Sequence, residues 1–384
     1  MSAPRMPLSR AVSPLELFFD LVFVLALGQL THHFVAHLTW RGGAETLVAL
    51  IAVVGIWTFT TFEITMLDIE RKGTKLITVA VMALGLFANA GIAHAFDDSP
   101  WLFVVPMLAA LIGPSVYAAV TAPDDALRGH YLRVLLWFLV STPLWLIGAM
   151  VEPDARLWFW AAAAAVDLIG TWLAHPVPGR RIDSRQLAFD AEHVVERMRL
   201  FLIIMLGETV LTLGRVITEH HDDALVLTLA FGCFLALVCL WQIYFARAEA
   251  DVVRDITRTA DPIAAVHLGL SAIYGVVAGL VIFAAGAETL LGHAHTDRAG
   301  VAGVLILIGP AVYLLSQAFY FHRETGTGWL PRVVGAAVLA VTAIAAYWLP
   351  PWLVIVVLVL ILGGLAVRLS RAATTESIGG AEGH

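Results

Sequence analysis

Two acidic side chains near the start of the chain lie where lipid would leave them without solvation. Glu16 and Asp20 are four residues apart in the apolar stretch ELFFDLVF, so on a helix they share one face. An ionised carboxylate at membrane depth needs a cation, hydrogen bonds or water, and otherwise it takes up a proton. The pattern therefore predicts either proton or cation chemistry or a buried ion pair.

A third carboxylate, Glu208, lies inside a later apolar run. Arg197, Glu208 and Arg215 are separated by 11 and then 7 residues, close to whole helical turns, so they form one stripe. Glu208 would lie roughly 16 Å from Arg197 along the axis, near the bilayer midplane. An acid there predicts a functional group that faces the interior of the bundle. The alternative is a protonated glutamic acid that hydrogen-bonds a neighbouring helix.

Basic residues at the start of the same run offer partners for the first two acids. Arg197 and Arg199 precede Glu208, and an internal offset of 183 residues aligns Glu16 with Arg199. Our hypothesis is that Glu16 and Asp20 face Arg197 or Arg199 across the two halves of the chain.

Other polar residues in apolar runs are secondary candidates. Glu63, Asp167 and His267 fit structural hydrogen bonding at least as well as proton transfer. Several histidines fall near predicted outer loops, without a compact ligand motif, and we expect them to be solvated. We predict no metal site, no cofactor and no disulfide. The histidines are His32, His33, His37, His94, His220, His221, His293 and His295.

The elements that hold these residues follow from composition. The chain has 384 residues, 60% of them hydrophobic and 14% charged, which is too apolar for a water-soluble domain. A formal charge of −7, with no long Lys/Arg block, argues against a nucleic-acid partner. The expected partner is the lipid bilayer, and the fold class is all-α, a polytopic membrane helix bundle.

Twelve runs are long and apolar enough to cross a membrane as helices. Of the 23 Lys and Arg residues, 19 fall on one side if the N-terminus is cytoplasmic and 4 on the other, which predicts cytoplasmic N- and C-termini. The expected location is the bacterial inner membrane. The predicted spans are 15–38, 44–66, 75–96, 101–121, 131–150, 156–175, 197–217, 224–246, 262–286, 299–322, 329–348 and 351–368.

An internal duplication divides the twelve spans into two parallel six-helix repeats. The segment LIGPSVY at 111–117 recurs as LIGPAVY at 307–313, identical at six of seven positions. An even number of spans per repeat predicts that both have the same orientation. The predicted division is an N-terminal repeat at 1–175, a basic cytoplasmic linker at 176–192, a C-terminal repeat at 193–370 and a disordered cytoplasmic tail at 371–384.

The repeated segment also contains a Gly-Pro pair, Gly113-Pro114 in span four and Gly309-Pro310 in span ten. Proline removes a helix hydrogen bond and glycine lets backbones approach closely. The pairs predict either packing kinks or hinges that line a cavity.

Two motifs resemble the bacterial low temperature requirement A (LtrA) family. They are PLELFFDLVFV, which contains Glu16 and Asp20, and HVVER, which ends in Arg197 and is followed by Gly207-Glu208. The resemblance spans about residues 10 to 370. It implies an integral membrane protein linked to growth in the cold, and it brings no established biochemical activity.

Unusual polar or Gly-Pro features fall on spans one, four, seven and ten. The leading interpretation is a proton- or cation-linked transporter or channel for an unknown small solute, with a path lined by these spans. Glu208 and Asp20 would bind the ion, and the arginines near Arg197 would tune them. The first alternative is a non-transporting membrane protein that supports cold growth or envelope signalling. The second alternative is an intramembrane enzyme that acts on lipids. We predict that the chain is not an enzyme and assign no catalytic residues.

Overall fold

The helices follow directly from the apolar runs. The computed structural model describes residues 11–67, 71–177, 190–246, 262–324 and 326–381, and it contains twelve α-helices of 18 residues or more within these ranges. They are α1 Pro14–Ala36, α2 Trp40–Met66, α3 Lys72–Gly91, α4 Pro100–Thr121, α5 Asp125–Met150, α6 Pro153–Trp172, α7 Ala191–Glu219, α8 Ala224–Tyr244, α9 Pro262–Gly292, α10 Gly300–Glu324, α11 Trp329–Ala346 and α12 Pro351–Ala381.

Eleven of these helices are long and apolar enough to cross a membrane. The twelfth, α6, carries Asp154, Arg156 and Asp167, which lower its mean hydropathy. Large apolar side chains are exposed along the helices, among them Val120, Leu139 and Leu360 at 69–73%. Exposure on this scale suits a lipid environment rather than water. The all-α, many-span prediction is therefore confirmed, and the chain is a multi-pass membrane protein.

The described residues divide into two compact units. Unit 1 comprises the described parts of Met1–Phe23, Ile51–Leu202 and Ile256–Leu270; unit 2 comprises those of Val24–Leu50, Ile203–Asp255 and Ser271–His384. Helices α3 to α6 belong wholly to unit 1, and α8 and α10 to α12 wholly to unit 2. Because α1, α2, α7 and α9 contribute residues to both units, the units do not follow the predicted halves at 1–175 and 193–370. The internal repeat stays a prediction.

Unit 1 is packed around aromatic side chains and a buried arginine. Trp145 and Trp160 are fully buried, with ring centroids 5.7 Å apart. Arg156 donates hydrogen bonds to the backbone carbonyls of Gly148, Ala95, Asp97 and Val151. It thereby satisfies backbone carbonyls at the C-terminal end of α5 and in the segment that follows α3. These carbonyls would otherwise lack partners.

Unit 2 contains a close crossing of α9 and α10. A Cβ added at Gly309 would meet the backbone of Phe283 and Gly279 on α9. Glycine is needed here because the two backbones approach too closely for any side chain. This contact agrees with the packing alternative for Gly309-Pro310, and Pro310 is buried within the continuous helix α10.

Two segments that we predicted to lie outside the helical repeats are the linker at 176–192 and the tail at 371–384. Helix α12 continues to Ala381, through most of the stretch 371–384 for which we predicted a disordered tail. Residues 178–189 of the predicted linker 176–192 lie outside the described residues.

Candidate functional site

The first acidic residue is positioned by the N-terminus of α1. Ser13 Oγ accepts a hydrogen bond from the Glu16 backbone N–H at 3.4 Å, and Glu16 Oε2 accepts one from the Ser13 N–H at 2.8 Å. This reciprocal arrangement is a capping box, and Pro14 occupies the first helical position that proline favours. One oxygen of Glu16 is therefore committed to the helix end, and the other is free to meet a partner.

Two acids on α1 meet two bases on α7 that have the same four-residue spacing. His193 Nε2 lies 2.8 Å from Glu16 Oε1, and Arg197 Nη2 lies 2.8 Å from Asp20 Oδ1. Arg197 Nη1 is also 4.0 Å from Glu16 Oε1. These four residues form what we call the Arg197 cluster. Matched spacing brings both pairs into register because residues four apart lie on one helix face.

Aromatic rings seal the Arg197 cluster. Trp57 Nε1 donates to Asp20 Oδ1 at 2.7 Å, and the Trp57 ring stacks on Phe201 with centroids 4.0 Å apart. The Arg197 Cζ lies 5.5 Å from the Phe19 ring centroid, within cation–π range. Glu16, Asp20 and Arg197 are 0% exposed and His193 is 4% exposed. The cluster is therefore a group of acidic and basic side chains that contact one another and are buried from solvent.

The cluster still contains polar atoms without partners. Among the described residues, Asp20 Oδ2 and the Nε and Nη1 atoms of Arg197 make no hydrogen bond. Burial without full pairing is costly, so the electrostatic attraction between Arg197 and its acids has to offset that cost. Each member depends on the others.

The structure thus brings three predicted site residues together and identifies the partner arginine. Arg197 pairs with Asp20, as one of the two hypotheses held, and Arg199 is half-buried. Sequence reasoning missed His193 and Trp57 as members. The spacing of His193 and Arg197, which repeats that of Glu16 and Asp20, was the signal that could have found the histidine.

Glu208 has a different environment, in the part of α7 that belongs to unit 2. Its side chain is half-buried, and a Cβ added at Gly28 would lie 2.5 Å from Glu208 Oε1. The carboxylate therefore lies directly against the α1 backbone at Gly28. Among the described residues it makes no hydrogen bond or ion pair. Arg215, two turns along α7, acts on it through its charge.

The stripe that begins at Glu208 leads into a cavity of about 350 Å³, which we call the Arg215 cavity. Thr212, Arg215 and Glu219 continue the stripe at intervals of 4, 3 and 4 residues, and the Thr212 hydroxyl bonds the Glu208 carbonyl at 3.2 Å. Other walls come from residues at the ends of α1 and α9. These residues are Val35, Leu38, Glu288, Thr289 and His293.

Glu63 is a buried acid in unit 1 that accepts a hydrogen bond from a serine on α4. Ser115 Oγ donates to Glu63 Oε1 at 2.9 Å, and Pro114 lies beside the pair. A cavity of about 10 Å³ adjoins the carboxyl and has room for about one water molecule. A Cβ at the neighbouring Gly113 would meet nothing within 4 Å, so that glycine makes no close helix contact.

The other secondary candidates take part in hydrogen bonds. Trp145 Nε1 donates to Asp167 Oδ2 at 2.9 Å, and His267 bonds the Thr171 backbone. Both arrangements fit the structural alternative.

The prediction that the outer histidines are solvated is wrong for one of them. His33 is 3% exposed, and its Nε2 lies 3.3 Å from Glu45 Oε2, while Arg41 Nε lies 2.8 Å from Glu45 Oε1. Helix packing buries His33 because it faces α2, a contact that loop composition does not reveal. His32 and His37 are exposed. Among the described residues, no group of His, Cys, Asp and Glu could hold a metal ion.

Comparison with known proteins finds a matching family and a relative. The sequence model of the family described as "Bacterial low temperature requirement A protein (LtrA)" matches residues 11–367. A protein of Rhizobium meliloti (strain 1021), described as uncharacterized, is 30% identical over 323 residues, which cover 83% of this chain and 76% of that protein. No solved structure matches the chain.

Proposed function

The chain belongs to the bacterial low temperature requirement A family, and we propose that it is a proton-linked transporter of a small solute in the bacterial inner membrane. In this proposal Glu208 binds the proton and the Arg215 cavity admits the solute. Both termini are cytoplasmic, as the distribution of Lys and Arg favours.

The observation that carries the proposal is the unpaired carboxyl of Glu208. Among the described residues it has no cation and no hydrogen-bond donor, although it lies in the middle of a membrane-spanning helix. A charged carboxylate in such a place is expensive, and proteins retain one where ions or protons pass. In this proposal water and solute approach the carboxyl through the Arg215 cavity, whose wall includes Thr212, one turn from Glu208 on α7.

In this proposal, the charge of Arg215 influences the protonation of Glu208. Its positive charge, two turns along α7, favours an ionised carboxyl, whereas burial within a membrane helix favours the protonated form. A group balanced between two such influences changes its protonation when either changes. This is the property that a proton-coupled carrier requires, and a sealed ion pair does not have it.

The test is proton flux in proteoliposomes that contain a pH-sensitive dye. We expect the wild type to carry protons when a pH gradient is imposed and Glu208→Gln to lose at least tenfold of that flux. Glu192→Gln is the matched control, because Glu192 is an exposed acid on the same helix, and it should keep the wild-type rate. Equal rates in the wild type and Glu208→Gln would remove Glu208 from the mechanism.

A second candidate is a non-transporting membrane protein that supports growth in the cold. The observation in its favour is the Arg197 cluster, which contains the motif residues Glu16 and Asp20 and is sealed from solvent. Under this alternative, empty liposomes and liposomes with the wild-type protein would show the same proton flux.

A further inference from the structure

The Arg215 cavity contains charges of both signs that do not neutralise one another. Arg215 and Glu219 lie one turn apart on α7, and Glu288 faces the same cavity from α9. Among the described residues, none of the three forms an ion pair within 4 Å. The same Arg-to-Glu spacing closes to 2.8 Å between Arg41 and Glu45 on α2. The spacing therefore permits a pair, and in the cavity the two charges stay apart.

Arg215 and Glu219 are exposed, and Glu288 is half-buried. Because neither acid pairs with Arg215 among the described residues, the guanidinium and the two carboxylates remain available to a ligand in the cavity. Val35 and Leu38 supply apolar parts of the wall.

The size and the charge pattern together select a class of ligand. About 350 Å³ falls at the lower end of the range of small-molecule sites. A simple anion would meet two carboxylates, and a simple amine would meet the guanidinium. A molecule with both charges satisfies both sets of groups. We propose that the Arg215 cavity binds a small zwitterion, with its carboxylate on Arg215 and its ammonium group on Glu219 and Glu288.

Binding at this position couples the solute to the proton. A solute carboxylate that pairs with Arg215 takes up the positive charge that favours ionised Glu208. Glu208 then binds a proton more readily, so solute and proton bind together and move in the same direction. This inference rests on the proposed function, because it assigns the solute class to the same transport path.

Binding to the purified full-length protein in detergent tests the site without any transport. The probes are glycine, 4-aminobutanoate and 6-aminohexanoate, which differ in the distance between their charges, with butanoate and butylamine as single-charge controls. We expect calorimetry to detect at least one zwitterion and to find both controls at least tenfold weaker. Tighter binding of butylamine or butanoate than of every zwitterion would overturn the assignment, and so would no binding of any probe.

Variants locate the two charged contacts. Arg215→Gln should weaken the bound zwitterion about tenfold to a hundredfold, the range for losing a charge-assisted hydrogen bond. Glu288→Gln should weaken it comparably. Arg298→Gln is the matched control, since Arg298 is exposed in the loop between α9 and α10 and is not a wall of the cavity. Equal affinity in the wild type and Arg215→Gln would refute the proposed carboxylate contact.

Measurements of proton flux distinguish a failure of the proposed solute class from a failure of the proposed function. In proteoliposomes, the zwitterion that binds should accelerate proton entry in the wild type, and neither single-charge control should do so. Proton flux that depends on Glu208 but ignores every zwitterion would refute the solute class and leave the proton role intact. Zwitterion binding without any proton flux would support the site and refute transport.

Discussion

Helix α7 carries two groups of charged side chains, one paired and buried and the other without ion pairs among the described residues. In unit 1, Arg197 and His193 meet the acids of α1 at 2.8 Å, and all four side chains are buried. In unit 2, Glu208 is half-buried without a partner among the described residues, and Arg215 faces a cavity. A charge whose partners are all within the protein stabilises one arrangement of helices. A charge without such partners is available to a proton or a solute.

The same residue types therefore serve two purposes, and the difference lies in their surroundings. Aromatic rings close the Arg197 cluster, whereas Glu208 lies beside the Gly28 backbone, one turn from Thr212 in the wall of the Arg215 cavity. Both groups lie within residues 11–367, which the family model matches. Substitutions in the Arg197 cluster should change stability most, and substitutions around Glu208 should change activity most.

The largest stability effect is expected for Arg197→Met. Removal of the guanidinium leaves two buried carboxylates unpaired, which should lower the free energy of unfolding by about 3–5 kcal/mol. Equilibrium unfolding in detergent micelles measures the loss. Arg128→Met is the control: its ion pair with Asp125 is exposed, so its loss should stay below about 1 kcal/mol.

Combining Arg197→Met with Asp20→Leu and Glu16→Gln sharpens this comparison. Because the triple variant buries no unpaired charge, it should recover much of the stability that the single variant loses. A single variant as stable as the wild type would show that the cluster is not sealed.

A smaller loss is expected for Trp57→Phe. The phenyl ring keeps the stacking on Phe201 but removes the N–H that donates to Asp20, at a cost of about 1.5–3 kcal/mol. Trp137→Phe is the matched control, since the Trp137 N–H bonds the Pro176 carbonyl in an exposed position. Similar losses in both variants would mean that the Asp20 contact adds nothing.

Glu208→Gln should change the free energy of unfolding by less than about 1 kcal/mol, because no hydrogen bond or ion pair of the carboxylate is lost. The same unfolding measurement applies, in parallel with the flux assay. A loss as large as that of Arg197→Met would place Glu208 in a sealed pair and would remove the contrast between the two groups.

The smallest effect concerns Asp223, the N-cap of α8, which lies outside the spans. A hydrogen bond from His295 at 2.6 Å, together with the Val226 N–H, lowers the pKa of Asp223 below its usual 3.8. A lowered pKa in the folded state adds stability at pH values above 3.8 and loses it as the pH falls further. The melting temperature of the wild type should slightly exceed that of Asp223→Asn at pH 5–7, and the gap should narrow as the pH falls below 3.8. A gap that widened as the pH fell below 3.8 would contradict this.

Much of the fold could be predicted from the sequence. Apolar runs of membrane length predicted the helices, because a backbone in lipid must satisfy its hydrogen bonds within each segment. The interior charges Arg156 and Asp167 did not prevent recognition of α6 as a helix. Helix ends were less accurate, and α12 extends well beyond the predicted span 351–368. The offset of 183 residues led to the hypothesis that Glu16 and Asp20 face Arg197 or Arg199, and the structure places Asp20 against Arg197.

The sequence by itself determined that acids and bases occur within apolar helices, and at which spacing. It could not decide which of them are paired, because pairing depends on which helix packs against each face. Tertiary structure alone placed His193 against Glu16, buried His33 beside Glu45, and packed Gly309 against the backbone of α9. It also left Glu208 beside the Gly28 backbone, without a partner among the described residues. The physical reason is that the cost of a buried charge depends on atoms within a few ångströms, and only packing sets those distances.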